Sequence, residues 1–224
     1  MDLVTASLDL PSLALLQAFS QSNLAGKAIV CLLLIFSLLA WTVMVGKYLE
    51  LAKFRDQNRS FQRRLDATDR ILQIDPQLPG AMGPYAHLGR EALTTYHGSA
   101  RSNHAIGHVE NAIQRAVSWS LLRYESRMTL LGSIVSGAPF LGLLGTVWGV
   151  MDAFGSISGS EGASIATLAP GVSGALLTTV AGLLVAIPSV FGYNYLLTQV
   201  KLQITDLENF ASTLADRVEL EAND

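Results

Sequence analysis

The chain reads as an all-α membrane protein: three transmembrane helices carrying long cytoplasmic helical extensions. Three observations predict this class. Half of the 224 residues are hydrophobic and only 15% are charged, too apolar a balance for an ordinary soluble domain. Residues 28–46, 128–151 and 170–197 hold no charged side chain; each run is long enough to cross about 30 Å of hydrocarbon as a helix rising about 1.5 Å per residue. The polar segments beside these runs keep a three-to-four apolar rhythm, and no alternating strand pattern competes with it.

Residues 1–27 form the N-terminal segment, in which PSLALLQAF reads as a short interfacial helix on the outer face. Residues 28–46, AIVCLLLIFSLLAWTVMVG, form the first span. The run is long, no Lys or Arg precedes Lys27, and no small-x-small cleavage pattern follows. These features predict a retained anchor rather than a cleaved leader. Its bulky composition suits a lipid-facing position, and Cys31 inside it is the chain's single cysteine, so no internal disulfide is possible.

Residues 47–127 form the large polar loop. Leu51, Phe54, Asn58, Phe61 and Leu65 recur at helical spacing, which predicts that the first helix continues beyond the bilayer and ends before Pro76. The stretch DPQLPGAMGP, residues 75–84, marks a turn. From Ser102, the positions Ile106, Val109, Ile113, Ala116, Ser120 and Tyr124 keep the rhythm up to the second span. One continuous helix running into the membrane would satisfy it.

Residues 128–151 and 170–197 are the second and third spans, joined by a short loop over 152–169. Pro170 is expected near the first turn of its helix, where a missing N–H costs little. Both spans are rich in small residues: Gly132, Gly137, Gly142, Gly145 and Gly149, then Gly171, Gly174, Gly182 and Gly192. Lipid supplies no hydrophobic force between helices, so small residues that let backbones approach predict that these two spans face protein. Helix packing is assigned to Gly142, Gly145, Gly149, Gly171, Gly174 and Gly182. Pro139 and Pro188 each remove a backbone hydrogen bond and are candidate kinks. In the tail, 198–224, a heptad-like seam runs from Leu197 through Val200, Ile204, Leu207, Ala211, Leu214 and Val218, able to pack on the helix before the second span.

Charge placement gives orientation and removes several function classes. Of the 15 Lys and Arg residues, 12 lie between Lys47 and Arg127, whereas residues 1–26 and 152–161 have none. The large loop and the tail are therefore expected inside, and the N-terminus outside. Eight acids share that loop, so nucleic acid is not an expected partner. His87, His97, His104 and His108 all fall in the loop. His104 and His108 stand at i,i+4, but no third ligand is suitably placed, so no metal, cofactor or catalytic site is expected.

The run Pro139-Phe-Leu-Gly-Leu-Leu-Gly-Thr-Val-Trp-Gly-Val-Met151 and the run Leu168-Ala-Pro-Gly-Val-Ser-Gly-Ala-Leu-Leu-Thr-Thr-Val-Ala-Gly-Leu-Leu-Val-Ala-Ile-Pro188, followed by Tyr193-Asn194, resemble the signatures of the second and third spans in the TolQ/ExbB/MotA family. The resemblance implies a ring, usually a homopentamer, around a single-span partner of the ExbD/TolR/MotB kind that carries an intramembrane aspartate. A TonB/TolA-like transducer would deliver the work of proton flow to the envelope. It also implies that Thr146 and Thr179 line the ion pathway, with Thr178 and Ser173 beside them. By residue type alone these hydroxyls could equally bond helical carbonyls or pack beside glycines.

The family usually carries a glutamate five residues before the matched third-span threonine; here that position is Gly174. No Asp, Glu, Lys, Arg or His lies within the second or third span, so the titrating carboxylate would have to come from the partner. Asp152 and Glu161 bracket the outer loop, either as proton-gathering groups or as ordinary solvated charges. The rival reading is a non-conducting membrane scaffold that assembles partner proteins.

Overall fold

A computed structural model describes residues 18–20, 22–99, 104–156 and 165–223, and no strand occurs among them. Residues 18–20 are helical, and after them the described residues form five α-helices: α1 Leu24–Asp66, α2 Pro84–Ser99, α3 Ala105–Glu125, α4 Met128–Gly155 and α5 Ile165–Asn223. A 3₁₀ turn, Ile71–Gln73, lies between α1 and α2. α1, α4 and α5 are long and apolar enough to cross a membrane, so the expected fold class is the one found. Most of the expected interfacial helix and residues 157–164, with Glu161, lie outside the described residues.

The chain divides into two compact units. One holds the described residues up to Met44 together with Leu130–Asn194; the other holds Val45–Thr129 and the described residues from Tyr195 onward. α1 and α5 contribute to both.

The apolar unit is built from the charge-free runs, because a bilayer offers backbone groups no partner outside a helix. Its interior holds Leu33, Ala40, Leu131, Ile134, Ala138, Ala175 and Ala186. In the most apolar window of α1 only 17% of residues are buried, against 39% in that of α5. The bulky first span thus leaves most of its surface free, and Leu34, Leu38 and Trp41 are exposed.

The polar unit has a conventional core. Leu51, Phe54, Phe61 and Leu65 of α1 are buried, as are Val109, Ile113 and Ala116 of α3, and Val200, Leu207, Leu214 and Val218 of α5. Contacts from the other helices converge on α1: Tyr124 meets Phe54 edge-on with centroids 5.5 Å apart, and Phe210 meets Phe61 at 6.2 Å. Phe210 also stacks on Tyr85 of α2 at 4.0 Å. Asn58 supplies the polar link at the centre. Its Nδ2 donates to the Tyr124 hydroxyl at 3.1 Å, and its Oδ1 accepts from the Tyr85 amide at 3.2 Å.

Two expectations are corrected. Residues 105–155 do not form one helix: α3 stops at Glu125 and α4 starts at Met128, with Arg127 at φ 67° between them. A left-handed residue cannot continue the i to i−4 ladder, and apolar periodicity alone does not report one. Lys47 braces the break. Its side chain is fully buried, and Nζ donates to the Arg123 carbonyl at 3.0 Å and to Ser126 Oγ at 3.3 Å, with Glu50 at 3.2 Å as counter-ion. The second correction concerns Pro170. α5 begins at Ile165, so Pro170 is inside the helix and deprives the Ala166 carbonyl of its intrahelical donor.

Candidate functional site

The second and third spans cross where two glycines meet. A Cβ at Gly142 would stand 2.8 Å from the Thr178 carbonyl oxygen, and one at Gly182 would stand 2.7 Å from that of Ala138 and 3.1 Å from Gly142 Cα. Any side chain would push the backbones apart. Small residues continue the contact toward the α4 C-terminus, where Gly145 lies on the Thr178 side chain, Gly149 on Ala175 and Gly171 on Ala153. Pro139 and Pro188 lie inside continuous helices; each leaves the carbonyl four residues earlier without its intrahelical donor.

Close approach brings three hydroxyls to one carbonyl. Gly142 O accepts from Thr178 Oγ1 at 3.0 Å, Thr146 Oγ1 at 3.2 Å and Thr179 Oγ1 at 3.3 Å. Thr146 and Thr179 also hydrogen-bond each other through their hydroxyls, and Thr146 reaches the Ala175 carbonyl at 3.2 Å. A hydroxyl has one proton and two lone pairs. The pair therefore has two hydrogen-bond directions in the same geometry: Thr146 donating to Thr179, which donates to Gly142 O, or Thr179 donating to Thr146, which donates to Gly142 O or Ala175 O. Neither direction requires ionisation.

The other two hydroxyls of the expected pathway stand differently. Thr178 is fully buried, with Oγ1 held by the Ala175 carbonyl at 2.7 Å as well as Gly142 O. Ser173 is exposed, on the α5 face that carries exposed Leu176, Val180 and Leu184; the helix turn separates it from the pair.

A cavity of about 300 Å³ lies toward the C-terminal end of α4, lined by Asn23, Gly145, Gly149, Asp152, Gly171 and Gly174 among others. At its rim Asn23 Nδ2 donates to Asp152 Oδ2 at 3.2 Å. Gly174 is spoken for by the segment preceding α1: a Cβ there would stand 2.9 Å from Ser22 Cα. The place of the family glutamate is thus filled by backbone in this chain. Sequence reasoning did not find this contact, because nothing in residues 18–23 signals where they pack. It also missed the burial of Lys47, since the first Lys after an apolar run ordinarily extends its amine to water.

These features define a multi-pass helical membrane protein whose two glycine-rich spans clasp a hydroxyl pair and hold no Asp, Glu, Lys, Arg or His. Residues 84–209 match the model of the MotA/TolQ/ExbB proton channel family, and the chain belongs to that family. It is similar to the biopolymer transport protein ExbB of Neisseria meningitidis serogroup A, with 32% identity over 203 residues covering 84% of this chain and 89% of the relative. It is also similar to the Tol-Pal system protein TolQ of Haemophilus influenzae, with 27% identity covering 87% of this chain and 89% of the relative. Identity to ExbB of Xanthomonas campestris reaches 41% over 108 residues, 48% of this chain and 43% of that protein.

Proposed function

We propose that the chain is the channel and stator subunit of an ion-driven motor in the bacterial inner membrane, with its N-terminus in the periplasm. Copies form a ring, a pentamer by family analogy, around a single-span partner of the ExbD/TolR type whose intramembrane aspartate carries the proton. A TonB- or TolA-like transducer takes up the work to power transport or another envelope process. The observation that carries this reading is the Thr146–Thr179 pair. It offers donors and acceptors at membrane depth without a charge of its own, so it can solvate a partner's carboxyl in both protonation states. The cavity at the Asp152 end supports a water route toward the pair from the outer side.

The test is proton uptake by vesicles containing this chain and a one-span partner with an intramembrane aspartate. Thr146→Val and Thr179→Val keep the shape and remove the hydroxyl. Each is expected to lower flux about tenfold or more while assembly survives, the loss of a hydrogen bond that matters in the rate-limiting state. Normal flux from both variants would reduce the pair to packing. A wild-type complex that assembles but passes no protons would favour the non-conducting scaffold.

A further inference from the structure

We propose that the polar unit holds a binding site for the headgroup of an anionic phospholipid, drawn from the leaflet that borders the large loop. That leaflet is the cytoplasmic one in the orientation proposed above, and this clause alone rests on that reading.

The site is a cleft of about 660 Å³ among α1, the loop before α2, α2 and α3. Lys53, Arg90 and Arg123 contribute three cations to its lining. Its one carboxylate, Glu50, is already paired with the buried Lys47 at 3.2 Å. None of the three cations forms an ion pair among the described residues. The His87 ring, also in the lining, is held below its usual pKa range by burial and is neutral at pH 7.

Arg123 is held in place rather than loose. Its guanidinium lies 5.2 Å from the Phe54 ring centroid and 5.0 Å from that of Trp119, and Trp119 in turn meets His87 at 4.7 Å. Rings fix the plane and leave the N–H fork free, the arrangement that suits a phosphate oxygen pair.

Position selects a lipid over a free anion. Gly46, the last residue of the first charge-free run, is in the lining, and Lys53 lies only seven residues farther along the same helix, about 10 Å at helical rise. The cations therefore stand at headgroup depth. Exposed Leu49, Met82 and Trp119 line the same cleft, an apolar rim fit for the glycerol and upper acyl region, with Trp in the interfacial place it favours. Unpaired basic residues at the end of a span, beside an apolar rim, are the general form of an anionic-lipid site.

Native mass spectrometry of the full-length assembly in detergent, titrated with phosphatidylglycerol and with phosphatidylcholine, reads the preference directly and needs neither ion flux nor a known orientation. Wild type is expected to retain phosphatidylglycerol about tenfold more strongly. Combining Lys53→Gln, Arg90→Gln and Arg123→Gln removes that preference, and exposed Lys53→Gln alone lowers it several-fold, which keeps the test valid if the triple variant misfolds. Combining Arg63→Gln, Arg64→Gln and Arg115→Gln, equal in charge and outside the cleft, leaves it intact. No preference in wild type, survival of the preference in folded cleft variants, or equal loss in the control would overturn the site. Displacement of the lipid by millimolar inorganic phosphate would overturn the lipid assignment.

Discussion

Thr178 and Thr179 are adjacent and chemically identical, yet their surroundings assign them opposite consequences. Thr178 is fully buried with its hydroxyl committed to two carbonyls, so Thr178→Val should cost about 1–2 kcal/mol of stability, seen as a lower melting temperature of the assembly, with flux per folded complex little changed. Thr179→Val should do the reverse. Lys47 carries a second residue-level prediction. Lys47→Ala leaves Glu50 without its counter-ion and opens space in a packed region, a loss of about 2–4 kcal/mol that thermal unfolding would register. Tyr85 and Tyr124 add a pH signature: burial pushes the Tyr85 phenol up to about 12 and the Tyr124 phenol likewise to about 12. The folded state therefore keeps these protons after the unfolded chain has released them near its ordinary pKa of about 10. Stability should fall as pH rises from about 10 to about 12, and Tyr124→Phe should flatten that fall in melts recorded across the range.

Among the elements, the break between α3 and α4 and the glycine crossing of α4 with α5 are the two points where a small change has a large effect. Arg127 holds φ 67°, a conformation that glycine adopts without the Cβ penalty. Arg127→Gly should thus raise stability by up to about 1 kcal/mol, whereas Arg127→Ile should lower it and favour a continuous helix that displaces Ser126 from Lys47. Circular dichroism melts of the two variants separate these outcomes. At the crossing, a Cβ on Gly142 meets three main-chain atoms of α5, at Thr178, Thr179 and Gly182, and backbone cannot swing away as a flexible side chain can. Gly142→Asp should prevent assembly, whereas Gly137→Ala, where nothing lies within 4 Å, should assemble normally by size-exclusion chromatography.

Considered as a whole molecule, the chain joins an apolar unit with sparse burial to a polar unit with a filled aromatic core. Phe140, Val147, Trp148, Leu184 and Phe191 remain exposed, on the same two helices whose glycines are packed. Some of this surface must meet lipid, and in the proposed ring the rest meets neighbouring copies and the partner span. The polar unit keeps fewer such side chains free, with Leu49, Met82 and Trp119 beside the basic cleft among them. Its core residues are inside already, and its charged surface suits water.

Helix type, span number and the apolar seams were legible in the sequence because each depends on local periodicity and on the absence of charge over about 20 residues. The seam positions Val200, Leu207, Leu214 and Val218 are indeed inside. The family motifs, too, pointed to Thr146 and Thr179 before any coordinates. Which hydroxyl faces its partner, which is sealed off, and why Gly174 has no room for a carboxylate were decided by the tertiary structure. These depend on how two helices are rotated about their own axes and on where Ser22 comes to rest. Rotation is set by close backbone contacts between residues about 40 positions apart, Gly142 and Gly182, and no local pattern encodes the phase between them. The left-handed turn at Arg127 belongs with these: it is held by Lys47 from another helix, so only the folded chain specifies it.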